Sequence, residues 1–597
     1  MLAESHPLEA AALAKAARLP PVLAELLLAR SISTAAQAHD FLNPAPAQLH
    51  DPFLMLGMTA AVERLEAAIA KREPILLYGD YDVDGTTAVV LLKTAIEMLG
   101  GIVRFHIPHR LREGYGLQSS VIEAAHADGV RLVITVDTGM RAFAEAETAR
   151  RLGLDLIVTD HHLCAAGDAI PHAFAILNPN QHGCAYPEKS LCGAAIAMKL
   201  AQAILARRDP ARTRDKTLPS FIKMAAIATI ADAVPLHGEN RVIAALGLRE
   251  LRSPSGAGLR ALFAAAALDP AARQLTGFDV AFRIAPRINA AGRMDVASEV
   301  IELFSTRDPV RAAELAAKLE RLNRERREAE SIALASIESR LAADAVLALQ
   351  LPEEPQCDRL LVIDGDGWHR GVIGILASRV VERTARPAIV ISVEDGIAHG
   401  SGRSVDGFQL LNAIESCADL FTRFGGHAFA IGFAMPAVAL PELKRRLRLY
   451  ADEHLAARQP ERLLRIHAEL PLDRITPVLV GFLRKLEPFG HGNSEPLFIA
   501  RKARLLAAPR IMKDRHIRLE LAQEPDQTPA QSSAHDPILA GSSSSIRAVG
   551  WDLAPRAVEL ALARGSLVDL AYRIRENDHP EFGGLEVEIA GIELSGA

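Results

Sequence analysis

Cysteine is scarce in this chain of 597 residues: five in all, at positions 164, 184, 192, 357 and 417. An odd, scattered set gives no disulfide framework and fits reduced thiols in a cytoplasmic protein. Cys184, Cys192 and His182 lie close in sequence, but irregular spacing and only two thiols make a poor zinc site. Aromatics are few, at 5% with two tryptophans. Positive charge is not in excess either. The net charge is −6, so any contact with nucleic acid has to come from a local patch and not from the protein's overall field. No run of 18 or more uncharged apolar residues occurs, and no membrane-spanning helix is expected. The opening MLAESHPLEA has neither a basic n-region nor an apolar core, so no secretory leader is expected. What is present is ordinary globular composition, 49% hydrophobic and 23% charged, in a chain too long for one core.

Residues 1–60 read as an Ala/Leu-rich helical segment with loop signals at NPAPAQLHDP (43–52). From Ile75 short β-rich runs alternate with amphipathic stretches: ILLYG (75–79), a helix over 86–99, IVRFHI (102–107), RLVITV (131–136), a helix near 141–152, and LDLIVT (154–159). This alternation predicts βαβ units on a parallel sheet, within a domain spanning 61–305. A long charged helix connects at 306–345; KLERLNRERREAE (318–330) mixes both signs, which reads as a solvated linker helix or, with several arginines on one face, as a DNA-facing one. A second α/β block covers 346–460, starting with LLVIDGDGW (360–368). Residues 461–597 alternate with period two in HIRLEL, LVDLAYRI and LEVEIAGIEL, which predicts antiparallel β structure, a sandwich or barrel. The Ser/Pro/Gln-rich stretch 524–545 reads as a flexible insertion in that block.

The chemistry concentrates in Gly79-Asp80-Tyr81-Asp82-Val83-Asp84-Gly85. Three aspartates at alternate positions close a strand and open a helix. Alternate residues of an extended chain share a face, and converging anions repel unless a cation sits between them. A calcium loop of the D-x-D-x-D-G type needs a bidentate glutamate at position 12, which is Leu91 here, and a preceding helix where this chain has a strand. Two more strands end in the same chemistry: RLVITV runs into Asp137-Thr138-Gly139, and LDLIVT into Asp160-His161-His162. Ligands of an open α/β sheet bind at the carboxyl ends of its strands, where these groups can converge. Asp232, alone in an apolar helical run, is a further candidate. Mixed carboxylate and imidazole ligation suits Mn²⁺, or Mg²⁺ with less imidazole, and so many donors suit a pair of ions. Paired ions activate water and support in-line phosphoryl displacement, with Asp137 the natural bridge.

The motifs GDYDVDG (79–85), VDTG (136–139), DHH (160–162) and IADAVPL (230–236) resemble those of the DHH phosphoesterase superfamily, in its order and spacing. The resemblance extends to IPHRLREGYGL (107–117), LNPNQ (177–181), PRINAAGRM (286–294), WHRGVIGILASR (368–379), SGRS (401–404), GGHAFAIGF (425–433) and LEPFGHGNSEPLF (486–498). Within the superfamily it points to the branch of single-strand-specific 5′→3′ DNA exonucleases of repair and recombination. The implied fold is α/β: a DHH core with a parallel sheet, a connecting helix, a DHH-associated α/β domain and a C-terminal OB-like β domain. The implied metal ligands are Asp80, Asp82, Asp84, Asp137, His161 and Asp232; His162 with Asp137 and Asp160 would carry catalysis. Tyr78 stands where other superfamily members put a histidine. Arg110, Arg287, Asn289, Arg293, His369, Arg403, Ser404 and His427 are the implied nucleic-acid contacts, with Arg110 on the 5′-terminal phosphate. A monomer acting on single-stranded DNA, beside a single-strand-binding protein and a helicase, completes the expectation. The rivals are a small-substrate relative (an oligoribonuclease or nucleotide phosphatase) and a non-catalytic DNA-binding replication scaffold.

Overall fold

The computed structural model describes residues 6–110, 112–114, 116–350, 359–455, 464–524, 545–577 and 583–596, with the side chains of 166 and 343–350 left aside. Cys357, Leu111, Tyr115 and nearly all of the Ser-rich stretch lie outside the described residues.

The β-rich runs of the first half pair as a five-stranded parallel sheet: β1 (Pro74–Gly79), β2 (Ile102–His106), β3 (Leu132–Val136), β4 (Asp155–Thr159) and β5 (Ala175–Leu177). β1 and β3 are apolar and buried almost throughout, as strands covered on both faces must be. Strand order is β2-β1-β3-β4-β5. The chain therefore leaves β1 toward one edge, returns, and continues from β3 toward the other. Such a reversal opens a crevice at the carboxyl ends of β1 and β3. The helices Val83–Met98, Gly193–Arg208 and Leu218–Ala231 pack with this sheet in one large apolar core.

Helix Pro309–Gln350, 42 residues long, links the first sheet to the second. Its first half buries Ala312, Leu315 and Leu319 in the main core, while Ala333 and Ile337 pack on the second domain. The charged residues between them occupy the remaining faces. The second sheet runs in the order β6-β7-β8-β10-β9: β6 (Leu361–Asp366), β7 (Ala388–Glu394), β8 (Ile397–Arg403), β9 (Arg423–His427) and β10 (Ala430–Pro436). Only β6 and β7 are parallel; the rest is an antiparallel meander.

The C-terminal block contains β11 (Ala468–Glu469), β12 (Phe498–Leu505), β13 (Arg510–Met512), β14 (His516–Gln523), β15 (Ile546–Gly550), β16 (Leu567–Asn577) and β17 (Gly584–Leu594). The order β12-β16-β17-β15-β14 closes because β14 also pairs with β12. A helix, Ala554–Glu559, joins β15 to β16, and β15 pairs in parallel with β17. This is the connectivity of an OB barrel. The helices Pro7–Ala17, Pro21–Leu28 and Ala35–Leu42 share one apolar core with this barrel. Arg241, 2% exposed, joins the pieces: it donates to the carbonyls of Phe41, Lys485, Leu486 and Glu487.

Candidate metal centre

β1 ends at Gly79, and the chain turns at once into helix Val83–Met98, three residues earlier than the expected start at 86. The aspartates do not share the face of one extended segment. Asp80 follows the strand, Asp82 is the N-cap and accepts from Gly85 N at 3.0 Å, and Asp84 sits in the first helical turn. They converge because the turn is tight. A Cβ on Gly85 would lie 2.6 Å from the Asp80 backbone, so only glycine fits. Asn289 Oδ1 accepts from Val83 N at 3.0 Å and holds the turn from outside.

Asp84, 1% exposed, accepts from Gly193 N at 2.6 Å and Ala194 N at 2.7 Å, the first amides of the next core helix. A carboxylate there is favoured by both the free N–H groups and the helix dipole. Asp137, at the end of β3, has φ +59°, a left-handed conformation that aspartate tolerates better than most residues. His161 Nε2 lies 3.2 Å from Asp137 Oδ1 and 3.8 Å from both Asp84 Oδ2 and Asp232 Oδ2. Three overlapping groups bring donor atoms within 4.8 Å of one another: Asp80, Asp82 and Asp137; Asp84, His161 and Asp232; Asp137, His161 and His162. Asp80, Asp82, Asp84, Asp137, His161 and Asp232 thus gather at the β1/β3 switch.

The electrostatics of that gathering are unfavourable without a cation. Burial, then its acidic neighbours, pushes the carboxyl groups of Asp80, Asp82, Asp137 and Asp232 above the usual range. One oxygen each of Asp80 and Asp137 is buried with no hydrogen-bond partner. Hard oxygen donors left unpaired beside an imidazole are the donor set that Mn²⁺ or Mg²⁺ fits.

Asp160 differs from its neighbours. Its oxygens accept from His161 N, His162 N, His162 Nδ1 and Met140 N. Burial alone would raise its pKa; the hydrogen bond and charge of His162, with the Met140 amide, hold it below the usual range. The same contact outweighs the desolvation of His162 and carries that imidazole up to about 9. Asn178 and Asn180 donate to the carbonyls of His162 and His161 and fix the loop. Neither had a role assigned from sequence; the cue available was two asparagines just past a short apolar run. Tyr78 points its hydroxyl to Gly116 O at 2.9 Å.

Arginines gather next to the carboxylates. Arg110 lies over the Tyr81 ring at 4.9 Å. Burial, and then Arg110, Arg326 and Arg403, lower Arg293 to about 10; Arg403 is lowered by burial and by Arg110. Arg293 also donates to Gly371 O of the second domain. Arg326, on the connecting helix, was not singled out from sequence. Arg287 turns elsewhere, pairing with Glu320 at 2.5 Å. Ser404 Oγ donates to Phe408 O, and His369 Nδ1 accepts from Gly371 N, so both serve their own loops. His427 is exposed; partial desolvation, then the charges of Arg141 and His162 across the cleft, lower its imidazole.

A parallel sheet that gathers carboxylates and imidazole at its switch point, under a second mixed-sheet domain, defines a phosphoesterase of the DHH class. Models of the DHH family N-terminal domain, the DHHA1 domain and the RecJ OB domain match residues 74–229, 357–453 and 466–532. The chain belongs to the RecJ family. It is 35% identical to the single-stranded-DNA-specific exonuclease RecJ of Dickeya dadantii, over 91% of this chain and 92% of that one. It is 37% identical to RecJ of Bacillus subtilis, over 85% of this chain but only 62% of that longer one. The RecJ of Thermus thermophilus with Mn²⁺ matches at TM-score 0.79 and 28% identity, covering 100% of this chain and 79% of that one; its structure with Mg²⁺ matches at 0.74, covering 100% and 78%. No helix among the described residues is long and apolar enough to cross a membrane.

Proposed function

We propose that this protein is a metal-dependent exonuclease that hydrolyses single-stranded DNA from the 5′ end, in repair and recombination. The carrying observation is the convergence of five aspartates and His161 at the β1/β3 switch, beside a cluster of arginines. The relatives' names and the Mn²⁺ and Mg²⁺ structures of the Thermus protein support the reading. Asp80, Asp82, Asp84, Asp137, His161 and Asp232 would hold two divalent ions, which when bound supply Lewis-acid charge for activating water and offsetting negative charge on phosphorus. His162, oriented by Asp160 through Nδ1, would contact the scissile phosphate or polarise the departing 3′ oxygen through its other ring nitrogen. Arg110, Arg293 and Arg403 bind phosphate, Arg110 at the 5′ terminus; Asn289 positions the aspartate turn. His369, Ser404 and His427 complete the far wall of the cleft. Arg287 supports the cleft through Glu320 and does not itself touch DNA.

The working divisions are 1–60, 61–305, 306–345, 346–460 and 461–597, with a cleft between core and second domain that admits one strand, and a barrel that extends the path. The protein acts in the cytoplasm as a monomer, alongside a single-strand-binding protein and a helicase. The test is digestion of 5′- and 3′-labelled single strands and duplexes with Mn²⁺, Mg²⁺ or EDTA. Mononucleotide release from the 5′ label, abolished by EDTA and by Asp137→Ala, is expected. Release from the 3′ label first, strong preference for a dinucleotide, or full activity of Asp137→Ala would refute the reading.

A further inference from the structure

Far along the chain from the aspartate turn, a cavity of about 590 Å³ opens where the N-terminal helices, helix Gly238–Glu250 and the segment leading into the barrel meet. Small-molecule sites run roughly 300–1,000 Å³. Its wall has two characters. Ile32, Phe41, Leu236 and Val242 are apolar, while Arg30, Arg241 and Arg465 supply cations, with the Arg241 guanidinium over the Phe41 ring at 3.8 Å.

Of these cations Arg241 is buried and Arg30 half-buried, and neither has the paired counter-charge that such arginines normally have. Among the described residues neither Arg30 nor Arg241 forms an ion pair. Arg30 donates to Asn493 Oδ1 and to the carbonyls of Leu26 and Ser494, and Arg241 to four carbonyls. Burial, then Arg30, lowers Arg241 to about 9 against the attraction of Glu487, which does not pair with it. Arg465 is exposed at the rim. The wall's acids do not balance the three. Glu239 is taken by Lys199 at 2.5 Å and by the Tyr186 hydroxyl at 2.6 Å, and Asp40 stands exposed beside His39. A dianion that carries a flat apolar body would match this mixed lining.

We propose that this cavity binds a phosphate monoester of nucleotide size, its phosphate beside Arg465 and Arg30 and its body against Ile32 and Phe41. The ligand touches all three segments that meet there, so it also fastens the barrel to the core and raises stability by mass action. Two sources share this chemistry: a free 5′-mononucleotide and the phosphorylated end of a strand.

The test uses the full chain in EDTA, with Arg110→Ala and Arg403→Ala in place to silence the arginines next to the metal centre. Equilibrium dialysis with labelled dTMP should retain one nucleotide per chain, and dTMP should raise the melting temperature. Adding Arg465→Glu should weaken binding at least tenfold and remove the thermal shift; this side chain is exposed, and circular dichroism confirms the fold. His237→Glu, also on the rim, should act in the same direction. A 5′-phosphorylated oligothymidylate that binds more tightly than dTMP, and is weakened by the same variants, identifies the strand end as the source; one that binds more weakly identifies the free nucleotide. No dTMP retained in the Arg110/Arg403 background, or retention unchanged by both rim variants, would overturn the proposal.

Discussion

Gly193 is the residue on which the geometry of the metal centre can be tested without touching a charged group. It opens helix Gly193–Arg208, and its amide donates to Asp84 at 2.6 Å. A Cβ built there would stand 2.6 Å from Asp137 Cβ and 2.9 Å from Asp137 Oδ1, where ordinary contact needs 3.4–4 Å. Gly193→Ala therefore forces Asp137 and the helix start apart by about 1 Å. Overpacking of this size costs roughly 1–3 kcal/mol of stability, a modest loss. The catalytic cost is larger, because a misplacement of about 1 Å is worth on the order of 10²-fold in rate. The assay is release from a 5′-labelled single strand across a Mn²⁺ titration, with the melting temperature measured in parallel. A fall in kcat of about 100-fold, a higher Mn²⁺ requirement and a melting point lower by only a few degrees are expected. Wild-type turnover and metal response in a folded Gly193→Ala protein would refute the argument that close approach of this helix sets the site.

Other perturbations follow from the same physics. Arg241→Met strips four carbonyls of their donor, at roughly 1–3 kcal/mol for each that is left unsatisfied, read as a lower urea midpoint and faster proteolytic release of the barrel. His467 is held neutral, with Nδ1 accepting from Leu497 N; burial, then Arg30 and Arg465, lowers it to about 4. Its folded pKa lies below the unfolded value near 6.5, so its contribution is full above that value and is lost as pH falls toward 4. His467→Gln should flatten the fall in melting temperature between pH 7 and pH 4.5; an unchanged slope would exclude this origin. For Asp80, Asp82, Asp137 and Asp232 the sign is opposite, since their folded pKa values are raised. Metal-free protein should lose stability as pH rises above the ordinary carboxylate range, and Mn²⁺ at pH 7.5 should restore it. Melts that do not respond to Mn²⁺ would count against cation binding.

Local sequence was enough for the sheet and for the residues at its edge. β1, β3 and β4 are short apolar runs that end in acid or imidazole, and strand ends point where the fold sends them. The aspartate turn was legible as a cluster but not in its geometry, because alternate spacing describes an extended chain and Asp84 had already entered a helix. Asp232 was a lone polar residue in an apolar run, and its burial cost was the signal. Roles that depend on distant partners left no local trace. Gly193 resembles any helix start until Asp84 and Asp137 are beside it, Asn178 resembles any loop residue until the DHH loop is beside it, and Arg287 reads as a phosphate ligand until Glu320 takes it. The glycine-rich strands β8 and β9 lack the alternation that marks half-buried β structure, which hid the antiparallel part of the second sheet.

The N-terminal helices find their apolar partners in the barrel at the other end of the chain, roughly 430 residues later. During synthesis at about 5–20 residues per second, Leu23, Leu26 and Leu27 therefore remain uncovered for roughly 20–90 s after they leave the ribosome. These early helices are among the last elements to find their partners, and a ribosome stalled before the barrel would hold a catalytic core with sticky, unburied helices. That interval is when chaperones have most to protect, and truncation from the C-terminus should damage the beginning of the protein as much as its end.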